Sequence, residues 1–208
     1  YNKSVVSVNY GKSKTSKNAV NTVFGGEYEW ANATSKLLLE NGFNGTGAWS
    51  ADIIAKEANP RIPYTTMLNF MSGYGNRRGG TYQQAGHMGY PEDCIFVFDP
   101  EFESFCDERA SKLASTKDDP YLLGHFSDNE LPLPEDVLNR FFQLSKREPG
   151  YKAAEQWLKN RKGGSVDTAL ITDDDRAAFL ELVADTYFKI TSQAIKKYDP
   201  NHIFLGAR

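Results

Sequence analysis

The chain has 208 residues, a formal net charge of −3, 40% hydrophobic and 13% aromatic content, enough for one domain with its own core. That charge supplies no basic footprint for nucleic acid, and no apolar run approaches the roughly 18 residues of a membrane span. The aromatic surplus has two readings, a well-filled core or rings lining a sugar-binding groove.

Residues 1–26 are polar and rich in Lys, Ser, Asn and Gly. They read as an extended arm or loop, with a short strand at Val5–Val8 and with Lys3, Lys12, Lys14 and Lys17 on a solvated face. The first firm element is a helix over Glu27–Glu40, where Trp30, Thr34, Leu37 and Leu38 recur at helical spacing and Asn41-Gly42 supplies the stop. Phe43–Ser50 reads as a strand weakened by glycines. Ser50 is placed to cap a short helix over Ala51–Ala58, which Pro60 terminates. Ile62–Met71 is the next buried strand. The Gly-rich stretch Ser72–Cys94 reads as a long irregular loop, a length that is uncommon inside a compact domain and usually functional.

Asp99 is expected to cap, and Pro100 to open, a helix from Glu101 to Ser115 with Phe102, Phe105, Cys106 and Leu113 inward. Tyr121–Phe126 is a buried strand, followed by helical segments Glu135–Lys146 and Tyr151–Lys162 joined at Pro149-Gly150. A long helix over Asp173–Tyr198 carries the stripe Phe179, Leu182, Val183, Thr186, Ile190 and Ala194, with Thr172 or Asp173 as its cap. His202–Gly206, after the turn Asp199-Pro200-Asn201, is again a buried strand. Cys94 and Cys106 match no metal spacing. Cys106 reads as a buried free thiol, with a disulfide to Cys94 as the alternative.

Strands alternating with helices imply an α/β fold with a parallel sheet of βαβ units. Four strands are visible, whereas a closed (β/α)₈ TIM barrel needs eight in roughly 250 residues. The expectation is a partial barrel over residues 27–208, about strands two to five, preceded by an arm over 1–26. A half-barrel or flavodoxin-like domain is the alternative, and the sequence has no Rossmann-type phosphate-cradling glycine loop to support it.

The chemistry concentrates in Gly124–Leu133, where Asp128, Asn129 and Glu130 arrive together at a strand end. Leu131-Pro132-Leu133-Pro134 then stops helix and ladder hydrogen bonding, so the chain turns there. In α/β barrels the C-terminal strand ends are where catalysis is placed. Glu130 is the leading acid/base candidate, its carboxyl raised by desolvation near Phe126, Leu131 and Leu133, and Asn129 can donate to a sugar hydroxyl. Retaining glycoside hydrolysis needs two carboxyl groups about 5 to 5.5 Å apart. Asp128 either orients a sugar hydroxyl, buffers the charge of Glu130 or pairs structurally with an arginine of the barrel interior. Trp49 either stacks on a sugar face or fills the core, and Asn69 is a weaker sugar contact of the same kind. His125 lies at or just beneath the same face and can hydrogen-bond a carboxylate. The three histidines are scattered without a carboxylate pattern, so no metal or other cofactor is expected, and no G-x-S-x-G elbow occurs.

Four stretches together resemble β-agarase-like retaining glycoside hydrolases of the (β/α)₈ clan, a group close to β-galactosidase families. They are Asn41-Gly42-Phe43-Asn44 leading to Trp49-Ser50, Phe98–Phe102, Gly124–Leu131, and Tyr198–His202 with Leu205-Gly206 and Arg208. The resemblance covers about residues 25–208. It implies that Glu130 is the acid/base at the end of strand four and that Asn129 is its sugar-binding neighbour. It also implies a galactan substrate and an extracellular or periplasmic setting. The family's nucleophile is a second glutamate at the end of strand seven, which this chain does not reach, so the fragment alone is expected to be inactive. Gly45 and Ala48 stand where the family has bulkier or polar residues. A non-catalytic carbohydrate-binding barrel, a β-galactosidase, and a barrel hydrolase pairing Glu130 with Asp128 are the competing expectations.

Overall fold

The computed structural model describes residues 14–79 and 89–208. The strand expected at Val5–Val8 and much of the glycine-rich stretch, including His87, lie outside them. The described elements are α1 (Lys14–Phe24), α2 (Glu27–Glu40), α3 (Asp52–Lys56), β1 (Tyr64–Met67), α4 (Phe70–Arg78), α5 (Phe102–Ala110), β2 (Leu122–Phe126), α6 (Val137–Phe141), α7 (Pro149–Arg161), α8 (Asp173–Tyr198) and β3 (Ile203–Gly206). The chain divides into two units. One holds the residues up to Met67 with Ser115–Phe126 and Asn201–Leu205. The other holds Leu68–Ala114, Ser127–Pro200 and Gly206–Arg208.

In the first unit, Lys14–Phe24 is a helix rather than the expected loop. No Gly or Pro interrupts it, and Gly25 at φ 93° ends it. None of its residues is buried, although Val20 packs against the cluster around Trp30, and its many polar residues hide the helix in the sequence. Helix α2 has the predicted bounds. Trp30, Ala31 and Leu38 pack with Ile54, Ala58 and Ile62, while Leu37 faces outward. Phe43–Ser50 forms no strand: its one ladder-like bond runs from Thr46 N–H to the Pro63 carbonyl at 2.8 Å. Gly45 permits that approach, since a Cβ there would sit 3.1 Å from the same carbonyl. Ser50 does not cap α3, because its hydroxyl donates to the Gly47 carbonyl.

Three parallel strands, not four, are described, in the order β1-β2-β3. The β1–β2 register pairs Thr65 with Gly124, Thr66 with His125 and Met67 with Phe126. Gly124 is required here because any Cβ would collide with the Ile203 carbonyl of β3. Strand β3 is less buried than expected, with Ile203 exposed and the rest half-buried.

In the second unit, α4 occupies the start of the expected loop, and the predicted strand ends at Met67. Asn69 at φ 53° turns the chain into that helix. Asp99 is not a helix cap. Its carboxylate accepts from the Tyr74 hydroxyl at 3.3 Å and pairs with Arg78 at 2.7 Å, and Arg78 also pairs with Glu148 at 2.6 Å. Pro149 is not a joint between helices but opens α7, where its missing N–H costs nothing. Helix α6 is shorter than the predicted Glu135–Lys146. Helix α8 has the predicted bounds, with Thr172 as N-cap and Asp175 completing a capping box.

The inward residues of α8 are Asp175, Phe179, Val183, Tyr187, Thr191, Ala194 and Ile195. Leu182, Thr186 and Ile190 are only half-buried, which corrects the predicted stripe. Phe179 meets Phe98, Phe141 and Trp157 at ring centroid distances of 5.2 to 5.9 Å. Tyr74 makes edge contacts with Phe96, Phe102 and Phe105. Each such ring contributes about 1.5–3 kcal/mol on burial. Cys94 and Cys106 are buried free thiols, both pushed up by desolvation.

Candidate active site

The site belongs to the second unit and is built from the segments that follow the three strands in the chain. Hydrogen bonds continue from one segment to the next: Phe70 N–H to the Ser127 carbonyl, Ser127 N–H to the Gly206 carbonyl, and Arg208 N–H to the Asp128 carbonyl, at 3.1, 2.8 and 2.8 Å. The Glu130 N–H closes the run on the Arg208 carbonyl. Residues 127–130 are therefore held on their backbone before any side chain is considered. Arg109 adds a further tie through its Nε–H, which donates to the Leu68 carbonyl beside Asn69. Gly73 leaves room for that guanidinium, since a Cβ there would lie 2.7 Å from its Nη1.

Asp128 is 1% exposed and its carboxylate is fully engaged within the protein. It accepts from Met71 N–H at 2.7 Å, from Ser72 N–H at 3.3 Å and from the Tyr187 hydroxyl at 2.7 Å. The two amides belong to the first turn of α4, where N–H groups lack intrahelical partners and favour a negative charge. Burial pushes the Asp128 carboxyl up to about 6, against the opposing pull of these donors. Desolvation by burial also raises Tyr187. Of the three roles expected for Asp128, this geometry is that of structural pairing, through amides and a phenol rather than an arginine. A carboxylate so engaged cannot also serve as the second catalytic carboxyl beside Glu130.

Glu130 is exposed and sits at φ 48°, a left-handed conformation that a non-glycine residue holds at a cost of about 1 kcal/mol or more. The chain leaves the ladder there, and the following prolines end further pairing. Leu131 and Leu133, which follow Glu130, are themselves half-exposed. Asn129 is half-buried, and its Oδ1 accepts from Arg208 Nη1 at 3.1 Å. Asn69, half-buried, uses its left-handed backbone to open α4 and makes no side-chain cap bond.

Trp49 and His125 belong to the first unit. Trp49 is 40% exposed and sits in a turn at φ 60°, so it is not the core tryptophan of the alternative reading. His125 is fully buried, with Nδ1 2.6 Å from the Thr66 hydroxyl. Its ring meets His202 edge-on at 6.1 Å, so two of the three histidines are neighbours rather than scattered. His202 Nε2 lies 3.0 Å from the Asp119 carbonyl. Sequence reasoning missed Tyr187 and Arg109, and used Arg208 only as part of a motif. An aromatic hydroxyl on an otherwise apolar helical stripe was the available signal for Tyr187.

No family model matches the sequence, and no curated protein matches it. Solved structures do match. The chain is 24% identical to BpGH50 over 92% of its length, with a TM-score of 0.75, and covers 44% of that structure. It is 24% identical to the agarase AgWH50C over 90% of its length, with a TM-score of 0.66, and covers 28% of that structure. An exo-beta-agarase matches at 24% identity and a TM-score of 0.65, over 86% of this chain and 28% of its own. At these identities the likeness is one of fold. The chain spans less than half the length of the structures it matches.

Proposed function

We propose that this chain is part of a β-agarase-like retaining glycoside hydrolase, in which residues 27–208 contribute about half of a (β/α)₈ barrel. The observation that carries the reading is an exposed Glu130, pinned by backbone bonds immediately after a parallel strand. Its support is a fold shared with agarase structures and the sequence resemblance. Glu130 protonates the glycosidic oxygen as the bond breaks, then takes a proton from the water that releases the covalent intermediate. Asn129 donates to the sugar, and Asn69 is a further sugar contact. Asp128 and His125, both buried, act on the fold rather than on the sugar. The second carboxyl is assigned to the part of the fold that this chain does not span. The substrate is a β-linked galactan such as agarose, and no cofactor takes part.

The test is Glu130→Gln in the intact protein, assayed by release of reducing ends from agarose. The expected loss is about 10²- to 10⁴-fold in turnover, the usual contribution of a positioned acid/base. Undiminished turnover of agarose and related galactans that the native protein degrades would overturn the assignment.

A further inference from the structure

We infer that Arg208 is the positioning residue that fixes the donor face of Asn129. The inference deepens the proposed glycosidase reading and rests on it. Arg208 engages all three residues of the Asp128–Glu130 segment. Its N–H donates to the Asp128 carbonyl at 2.8 Å, its carbonyl accepts from the Glu130 N–H, and its Nη1 donates to Asn129 Oδ1 at 3.1 Å. The backbone bonds survive any substitution at position 208 except proline. The side-chain bond does not.

The chemistry of that bond is directional. A guanidinium has donors only, so it dictates which end of a carboxamide turns toward it. Asn129 must offer Oδ1 to Arg208, which turns Nδ2 and its two N–H donors the other way. An unguided carboxamide has two orientations, one presenting a donor and one an acceptor. With Arg208 in place the site offers a donor, matched to a ligand oxygen bearing a lone pair, such as a sugar hydroxyl or ring ether. Arg208 thereby acts on substrate through Asn129 and need not touch it.

The test is a double-mutant cycle of Arg208→Ala and Asn129→Ala in the intact protein, read as kcat/KM on an agarose-derived tetrasaccharide. Melting temperatures are recorded for every variant. Each single variant is expected to lose about 10- to 100-fold, the scale of a hydrogen bond that involves a charged group. In the Asn129→Ala background, Arg208→Ala is expected to cost less than 3-fold further, because its action passes through the missing amide. A third variant, Asn129→Asp, keeps an oxygen toward Arg208 and removes the outward donor. It is expected to lose as much as Asn129→Ala while melting at or above the native temperature. Additive losses in the cycle, or an Asn129→Asp variant with native kcat/KM, overturn the inference and leave the Glu130 assignment standing. Native kcat/KM in Asn129→Ala removes the sugar contact on which the inference depends, while a fully active Glu130→Gln removes the glycosidase reading itself.

Discussion

Asp128 shows how the residue scale works in this protein. Its carboxylate faces two amides at the start of α4 and the hydroxyl of Tyr187, a residue 59 positions away in sequence. Burial pushes the carboxyl up from its ordinary 3.8 to about 6, so the folded state binds that proton more tightly than the unfolded chain does. Its stability contribution is therefore greatest below the ordinary carboxylate range and is lost as pH rises through about 6. In urea denaturation between pH 4 and pH 7, the native protein is expected to lose about 2 kcal/mol relative to Asp128→Asn. Parallel pH profiles for the two proteins would contradict the account. The Asp-Asn-Glu triplet was legible in the sequence because strand-end polar residues before a Pro-rich stop stand out. The sorting of its members was not. Nothing local distinguishes a sealed Asp128 from an exposed Glu130, since the sealing groups come from α4 and α8.

At the scale of elements, α8 is where sequence and structure agree most closely. Three consecutive aspartates after Thr172 announce the helix start, and the apolar period carries it through 26 residues. Asp175 does more than cap. It accepts from Thr172 N–H at 2.9 Å and pairs with Arg161 and Lys162 at 2.6 Å each. Burial raises its carboxyl, but these bonds override that effect and hold it well below the usual carboxylate range. The stability this contributes is present above that range and is lost as pH falls through the lowered value. Asp175→Ala is expected to cost about 2 kcal/mol, between a lost cap and a broken buried pair, whereas Thr172→Ala is expected to cost about 1. Equal melting temperatures for Asp175→Ala and the native protein would contradict this.

The short elements were read less well, for opposite reasons. Helix α1 has no fully buried residue and is mostly polar, so its sequence looked like a loop. Phe43–Ser50 has the aromatic flanks of a strand, yet its glycines serve a close backbone approach instead of a ladder. Gly124 is the converse case, a glycine inside a true strand because the Ile203 carbonyl lies against it. Gly124→Ala is expected to destabilise by about 2–3 kcal/mol through displacement of β3. Thermal unfolding measures it, and a neutral effect would mean that β3 does not approach so closely.

For the whole molecule, the alternation of strands and helices was enough to give the α/β class and a parallel sheet. The likeness to BpGH50 and to two agarase structures, at TM-scores of 0.65 to 0.75, is a likeness of that fold. What the sequence could not supply was the bonding between the segments after β1, β2 and β3. These segments are distant in sequence and meet only through backbone groups, which leave no residue signature. That bonding is what presents Glu130.

The central claim is therefore about Glu130, and leaving-group dependence tests it most directly. Glu130→Gln in the intact protein is compared with the native protein on agarose and on an aryl β-galactoside whose phenol needs no protonation to depart, with and without added azide. The account predicts a loss of at least ~100-fold on agarose, a much smaller loss of bond cleavage on the aryl substrate, and recovery of turnover by azide with formation of the β-galactosyl azide. Equal losses on both substrates, with no azide product, would contradict it.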